Sequence, residues 1–491
     1  MTDQSSPQAE EPSPGDSAGF IPAADEIVAG GSGAAAGILD AADAAAVAAT
    51  ASAAAGTSVS AAEAADADAT APVAATASAA AGTSASAGAA LAAGTASGPA
   101  QSAAGVGVGV TAARGFRASG VAAGLKTAGA PDVALVVNDG PSRAAAAVFT
   151  SNRVKAAPVL WSQEVAKSGL LHAVILNSGG ANACTGPLGF QDTHATAEHT
   201  AKLLDASAGE IAVCSTGLIG VRLPMDKLLP GATAAAETLS ATGGADAAEA
   251  IRTTDTVAKT AVVAHASGFV VGGMAKGAGM LAPGLATMLC VITTDADVPT
   301  DLLDPALRAA VAHTFDRIDS DGCMSTNDTV ILMASGASGV TPEAAQFEAA
   351  VHEVCDSLAR QLIADAEGAS KEIQIEVVHA ADEPDALEVA RSIARNNLFK
   401  CAIYGEDPNW GRVLSAVGTT AARFEPDELA VAINGVWVCR DGGVGEDREL
   451  CDLSPRQVHV IVDLNAGEST ATVWTNDLSK EYVHENSAYS S

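Results

Sequence analysis

A break in composition near residue 107 most limits what this chain can fold into. Of its 491 residues, the first hundred or so are almost entirely Ala, Gly, Ser, Thr, Asp and Glu. Phe20 is the only aromatic there, and Arg114 is the first basic residue. A stretch of this kind buries too little apolar surface to offset the entropy of ordering it. The segment AATASAAAGTS at 48–58 recurs at 74–84, which marks low complexity rather than a solenoid. Residues 1–106 are therefore expected to form a disordered, Ala-rich acidic tail. It has no basic n-region and no Arg-rich face, so it does not read as a signal or transit peptide. Its apolar runs are Ala with polar interruptions, which does not read as a membrane span.

The net charge of −32 comes from 58 acidic against 26 basic residues. That argues against nucleic acid as the main partner, because phosphate contacts need a basic surface. Eight cysteines are scattered without a CxxC pair. In a chain without a secretory signal they read as reduced, small apolar residues. With no signal and no span, a cytoplasmic location is expected.

From about Gly109 onward, short apolar runs alternate with helical patterns. Strands are expected at Val133–Val137, Ala147–Thr150, Ala173–Leu176, Ile211–Cys214, Ala261–Val271, Met288–Ile292 and Val330–Met333. Later strands are expected at Ile373–Val378, Val431–Ile433, Val458–Leu464 and Thr470–Trp474. Gln191–Leu204, Leu302–Phe315, Ala344–Ala364 and Ala386–Phe399 read as helices. Ala241–Ala250 reads as a surface loop and helix. Several strands follow one another closely. That favours an α/β layered sandwich with mixed sheets over a clean doubly wound fold. The folded part is about 380 residues, enough for one large core or two closely packed halves.

The stretch Lys276–Leu289, KGAGMLAPGLATML, carries the sharpest chemistry. Thr287 follows a Gly- and Pro-marked loop and heads an apolar run. Threonine is a poor nucleophile without a base. Cutting the Ala286–Thr287 bond would give Thr287 an α-amine with a pKa of about 8, able to serve its own hydroxyl. Read alone, the same threonine also fits a residue that merely opens a buried strand.

Other segments are suggestive in the same two-sided way. Asn177–Gly186 is either a tight functional loop or a turn. Ser215-Thr216-Gly217 ends a strand, where a hydroxyl and an N–H pointing together would make an oxyanion hole. Gly272–Gly279 resembles a phosphate loop, but Lys276 is followed by Gly277 rather than by Ser or Thr. Gly105–Gly109 lacks dinucleotide-fingerprint spacing. Thr253-Thr254-Asp255 reads as an N-cap or turn, Asp321-Gly322 and Ser325–Asp328 as turn chemistry or site, Glu367–Lys371 as a helix end with Gly368 at a C-cap-like position or a site, and Asp407–Arg412 as a run dense in turn residues around Trp410. The nine histidines are dispersed, with no HExxH, so a metal site is not expected.

Taken together, these segments resemble the ornithine acetyltransferase (glutamate N-acetyltransferase) family. The resemblance rests on GFRASGVAAGLK (115–126), LVVNDGPSRAAAAVFTSNRVKAAPV (135–159), LNSGGANACTG (176–186) and STGLIGVRLPM (215–225). It continues through KGAGMLAPGLATML, MSTNDTV, EGASK and AIYGEDPNWGR, covering the chain from about residue 107 to its end. It implies a self-processing N-terminal-nucleophile fold cut between Ala286 and Thr287. An α-chain (107–286, behind the tail) and a β-chain (287–491) would result. Thr287 would be the nucleophile, with Thr216 and Gly217 as the oxyanion pair. Thr253, Lys276, Thr287, Glu367, Asn486 and Ser491 would contact substrate.

The implied activity moves acetyl from N2-acetyl-L-ornithine to L-glutamate by a ping-pong cycle in arginine biosynthesis. No cofactor is implied. Family members differ in whether acetyl-CoA also serves as a donor co-substrate, and no nucleotide motif decides it. The implied assembly is two α- and two β-chains. Gly284-Leu285, Cys323 and Ser370 depart from the usual family pattern, which bears on fine specificity. Two other readings are a self-processing amidase or aminopeptidase with water as acceptor, and a non-catalytic binding protein on the same fold.

Overall fold

The computed structural model describes residues 107–126, 129–282 and 288–488. All belong to one unit, Thr95–Ser491. The expected tail, the Ala286–Thr287 bond, Gly284-Leu285 and Ser491 lie outside the described residues.

In chain order the described strands are Phe116–Val121 (β1), Val133–Asn138 (β2), Ala145–Phe149 (β3), Ala173–Asn177 (β4) and Ile211–Ser215 (β5). Next come Lys259–Ala264 (β6), Val270–Lys276 (β7), Leu289–Thr294 (β8), Thr329–Ala334 (β9) and Glu372–Ala380 (β10). The last are Ala430–Ile433 (β11), Val436–Arg440 (β12), Gly443–Val444 (β13), Gln457–Asp463 (β14) and Ser469–Asn476 (β15). They form three sheets, ordered β1-β2-β4-β5, β3-β9-β8-β7-β6 and β13-β12-β11-β14-β10-β15. Each is mixed. The parallel pairs are β4 with β5, β8 with β9, and β10 with β14.

Strand periodicity explains how the first two sheets stack. Side chains alternate between the two faces of a strand. In β2, Ala134 and Val136 join a core shared with the second sheet, while Val133, Leu135 and Val137 face the other way. The same split recurs in β4, with Val174 and Leu176 inward and Ala173 and Ile175 outward. The second sheet answers with Leu289, Val291, Ile331 and Met333 in the shared core. The outer face of the first sheet packs on helices Gly186–Leu203 and Met225–Glu237 through Ala197, Leu228 and Ala232. The outer face of the second packs on helices Thr300–His313 and Ala344–Ala364 through Leu307, Phe347 and Leu358. The result is a helix–sheet–sheet–helix sandwich. Strands buried on both faces read as continuous apolar runs, as β2 and β8 do.

The third sheet is covered on one face. Ile373, Ile375, Val377, Val460 and Val473 pack on helices Glu383–Ala394, Asn397–Tyr404 and Trp410–Val417. Its other face carries half-buried polar groups, including the pair His459 Nε2 and Glu376 Oε2 at 2.9 Å.

Several expected elements change. Ala261–Val271 is not one strand. It folds into β6 and β7, joined by a turn in which the His265 N–H donates to the Phe269 carbonyl. Ala386–Phe399 is two helices, because the Asn396 side chain caps the second through the Phe399 N–H. The segment after Ala241 is not superficial: helix Gly244–Ala250 buries Ala247, Ala248 and Ala250 against the shared core. Asp407–Asn409 is the non-helical lead-in to helix Trp410–Val417, which takes up Trp410–Arg412. The phosphate-loop look of Gly272-Gly273 has a packing cause. Both lie inside β7, and a Cβ on Gly272 would sit 2.1 Å from the Gly109 carbonyl oxygen.

The stacked-sheet core yields a contrast. Leu176→Ala, in the middle of the shared core, is expected to lower unfolding free energy by about 2–5 kcal/mol. Val262→Ala, half exposed on the edge strand β6, is expected to stay within about 0.5 kcal/mol of the parent. Denaturant unfolding followed by circular dichroism measures both.

Candidate functional site

Strands β5 and β7 end side by side because their sheets are stacked, and a cleft opens where they end. Its empty volume, counted out into the open mouth, is about 680 Å³. Thr216, Gly217, Thr253, Lys276, Glu367 and Asn486 all line it, with Ala181, Thr254, Gly279 and Met280 among their neighbours. Every described residue nominated from sequence therefore reaches one cavity. Thr287 and Ser491 are outside the described residues.

Three loops build the first wall. The Thr216 N–H donates to the Asn177 carbonyl at 3.0 Å, and the Gly180 N–H donates back to the Thr216 carbonyl at 3.0 Å. Gly217 has φ of +128°, and a Cβ there would lie 2.9 Å from the Gly180 nitrogen, so only glycine fits. The Asn327 amide locks this wall by donating to the carbonyls of Ala181 at 2.6 Å and Ser215 at 2.8 Å. Asn177–Gly186 thus places Ala181 in the cleft lining, and Asn327 fastens it there.

The second wall is charged. Lys276 closes β7 fully buried, with Nζ 3.3 Å from Thr216 Oγ1. Asp255 lies behind it. Its Oδ1 accepts from Lys259 Nζ at 2.7 Å and from the Gly277 N–H at 2.6 Å. Its Oδ2 accepts from the Thr253 N–H at 3.0 Å. Lys259 also donates to Asp365 at 2.5 Å. Burial pushes the Asp255 carboxyl up, but Lys276, Lys259 and the Gly277 N–H together hold it well below the usual carboxylate range. Burial pulls the Lys276 ammonium below its ordinary value, and Asp255 is the strongest group opposing that.

Glu367 forms the third wall. Its backbone N–H donates to the Ala278 carbonyl at 2.9 Å. Its carboxylate lies directly over Gly279, where a Cβ would be 2.4 Å from Oε2. The Asn486 amide, on helix Lys480–Ala488, donates to Glu367 Oε2 at 3.0 Å. The last described helix is thereby tied to the cleft.

Asp328 has a different character. It is fully buried, and its Oδ1 accepts the Met288 N–H at 3.0 Å. Burial raises its carboxyl well above the ordinary value, outweighing the Met288 N–H, Ser325 and Lys276, which pull it down. A buried carboxyl, pushed well above its ordinary value, therefore holds the backbone at the entrance to β8.

Sequence reasoning named Asp255 and Asp328 only as members of turn-like runs and passed over Lys259 entirely. A charged residue in an otherwise apolar strand, as Lys259 is in KTAVVA, was the available signal. Of the departures from the family pattern, Ser370 does not line the main cleft. Its hydroxyl and N–H both bind Asp477. Cys323 is exposed, and its N–H donates to Asp321 at 3.0 Å. Among the described residues no group of His, Cys, Asp and Glu is arranged to hold a metal, and no helix is long and apolar enough to cross a membrane.

The arginine biosynthesis bifunctional protein of Streptomyces coelicolor is 71% identical over 380 residues, spanning 77% of this chain and 99% of that protein. The protein of the same name from Mycobacterium leprae is 59% identical over 388 residues, spanning 77% and 95%. Among solved structures, ornithine acetyltransferase complexed with ornithine from Mycobacterium tuberculosis is 60% identical, covering 37% of this chain and 96% of that one, with a TM-score of 0.36. The model of the ArgJ family matches residues 117–491. The chain belongs to the ArgJ family.

Proposed function

We propose that this protein is an acetyltransferase of arginine biosynthesis, moving acetyl from N2-acetyl-L-ornithine to L-glutamate through an acetyl ester on Thr287. The observation that supports it best is the convergence of Thr216, Gly217, Thr253, Lys276, Glu367 and Asn486 on one cleft. The names of its close relatives, arginine biosynthesis bifunctional proteins, point the same way.

The chemistry runs in two stages. In the precursor, the Thr287 hydroxyl attacks the Ala286 carbonyl and the peptide C–N bond breaks. The hydroxyl proton ends on the Thr287 nitrogen, and water then hydrolyses the ester. The freed α-amine becomes the base for the Thr287 hydroxyl. In the mature enzyme, that hydroxyl attacks the acetyl carbonyl of N-acetylornithine. Ornithine leaves with the transferred proton, and the glutamate amine takes the acetyl group from the ester. The Thr216 hydroxyl and the Gly217 N–H stabilise the oxyanion in each step. Glu367 pairs with the substrate amine, and Lys276 offsets the α-carboxylate. Thr253, Asn486 and Ser491 complete the substrate contacts. Acetyl-CoA is a second donor to be compared with N-acetylornithine, and the assembly is two α- and two β-chains.

Denaturing electrophoresis of the matured protein is expected to show fragments of 286 and 205 residues. Thr287→Ala should leave one uncut band and no transfer, and Thr287→Ser should retain part of both activities. Full turnover by Thr287→Ala would overturn the mechanism.

Thr216→Ala is expected to lower kcat about 10²–10³-fold, the usual effect of losing one oxyanion donor. Ornithine release from N-acetylornithine is expected to require glutamate and to yield N-acetylglutamate. Release of free acetate without glutamate would identify a hydrolase instead.

A further inference from the structure

We infer that Asp255 is a positioning residue for the oxyanion site: it holds Lys276 in place and charged, and Lys276 in turn aims the Thr216 hydroxyl hydrogen into the cleft. This rests on the reading of Thr216 as an oxyanion donor.

The argument begins with what each group can do. A lysine ammonium has three donors and no acceptor, while a threonine hydroxyl has one donor and two acceptor lone pairs. In the contact between Lys276 Nζ and Thr216 Oγ1 at 3.3 Å, the lysine must therefore donate. The Thr216 oxygen is the acceptor, so its single hydrogen is left to point elsewhere. Both side chains line the cleft, and a hydroxyl that already accepts from a cation is a stronger donor to a developing oxyanion. The remaining ammonium hydrogens stay available to a substrate carboxylate.

Asp255 controls this in two ways. By geometry, it takes the N–H of Gly277, the residue after Lys276, at 2.6 Å, and that of Thr253 at 3.0 Å. One carboxylate thus fixes the root of the lysine and a second cleft-lining segment. By charge, it faces Lys276 across a buried space. The other groups acting on Lys276 are Lys259, Asp328 and Glu367, and Lys126 is a further cation that feels it. Burial pushes the Asp328 carboxyl well above its ordinary value, which weakens its hold on the lysine, and Lys259 is shared between Asp255 and Asp365. Asp255 is accordingly the main group keeping Lys276 protonated in a place that disfavours charge. Removing its negative charge lowers the lysine pKa further, so the ammonium is lost at a lower pH.

The experiment compares Asp255→Asn with the parent in two backgrounds, Thr216 and Thr216→Ala, measuring kcat and KM against pH. With Thr216 present, Asp255→Asn is expected to lower kcat about tenfold to a hundredfold, a fraction of the loss from deleting a donor outright. The alkaline limb of the kcat profile is expected to move to lower pH. With Thr216→Ala, the same substitution is expected to change kcat by less than about threefold, because the hydrogen it aims is gone. Lys276→Gln, which keeps a neutral donor, is expected to raise KM in both backgrounds through its contact with the substrate carboxylate and to lower kcat only with Thr216 present, and it serves if Asp255→Asn does not fold. Equal losses in both backgrounds with an unmoved alkaline limb would overturn the assignment. Mass spectrometry of the acetyl ester on Thr287 in the parent tests the catalytic reading separately.

Discussion

Four buried charges set the terms for the rest of this molecule. Lys259, Lys276, Asp255 and Asp365 lie in the protein interior or at its edge. A single buried ion of this kind is strongly unfavourable, and only pairing with good hydrogen bonds offsets the loss of water. Two cations and two anions balance, and the backbone N–H groups of Thr253 and Gly277 supply the remaining donors to Asp255. Such a cluster contributes little net stability compared with apolar residues of the same size. What it provides is geometry, because each member has one arrangement in which all are satisfied. That arrangement joins the start of β6, the end of β7 and the turn after helix Ala344–Ala364. Those are the places from which the cleft is built.

The sandwich makes such a cluster achievable. The shared core between the first two sheets is built mostly of Ala, Val, Leu, Ile and Met. Loops leaving β4, β5 and β7 then meet at one edge, and the Asn327 amide bridges two of them. Where backbones must come closest, glycine stands. Gly217 lies against Gly180, and Gly279 lies under the Glu367 carboxylate. The motif letters that read as a phosphate loop are thus of two kinds. Gly272 and Gly273 serve sheet packing, and Gly277 and Gly279 serve the cleft.

Much of this was legible in the chain before folding was considered. Short apolar runs announced β2, β4, β8 and β9, alternation announced β10, and the layered arrangement followed from their order. The segments that failed were those where tertiary contacts override local pattern. Helix Met225–Glu237 contains Pro230, and Phe116–Val121 is a strand rich in small and polar residues that gains its order by pairing with β2. The Asn396 break between two helices rests on a single side-chain cap. In the site, residues carried by recognisable motifs were found, and those that act through them were not. Lys259 sits in a strand with no motif, and Asp255 and Asp328 look like ordinary turn residues. Their importance comes from groups far away in sequence, such as Asp365 for Lys259 and Met288 for Asp328.

That long-range character bears on the order of events. The Met288 N–H, one residue past the proposed nucleophile, is held by Asp328, which belongs to the approach to β9. The burial that pushes the Asp328 carboxyl up exists only in the folded core. The backbone at the head of β8 is thus tied to the parallel pairing of β8 with β9, strands connected through helix Thr300–His313. The oxyanion wall needs the same event, because Asn327 fastens it from the neighbouring position. On the proposed mechanism, chain cleavage then waits for folding: attack on the Ala286 carbonyl has no fastened oxyanion wall until the run Ser325–Asp328 has closed on that wall and on the Met288 backbone. Adjacent residues of one short run thus link completion of the fold to the appearance of the catalyst.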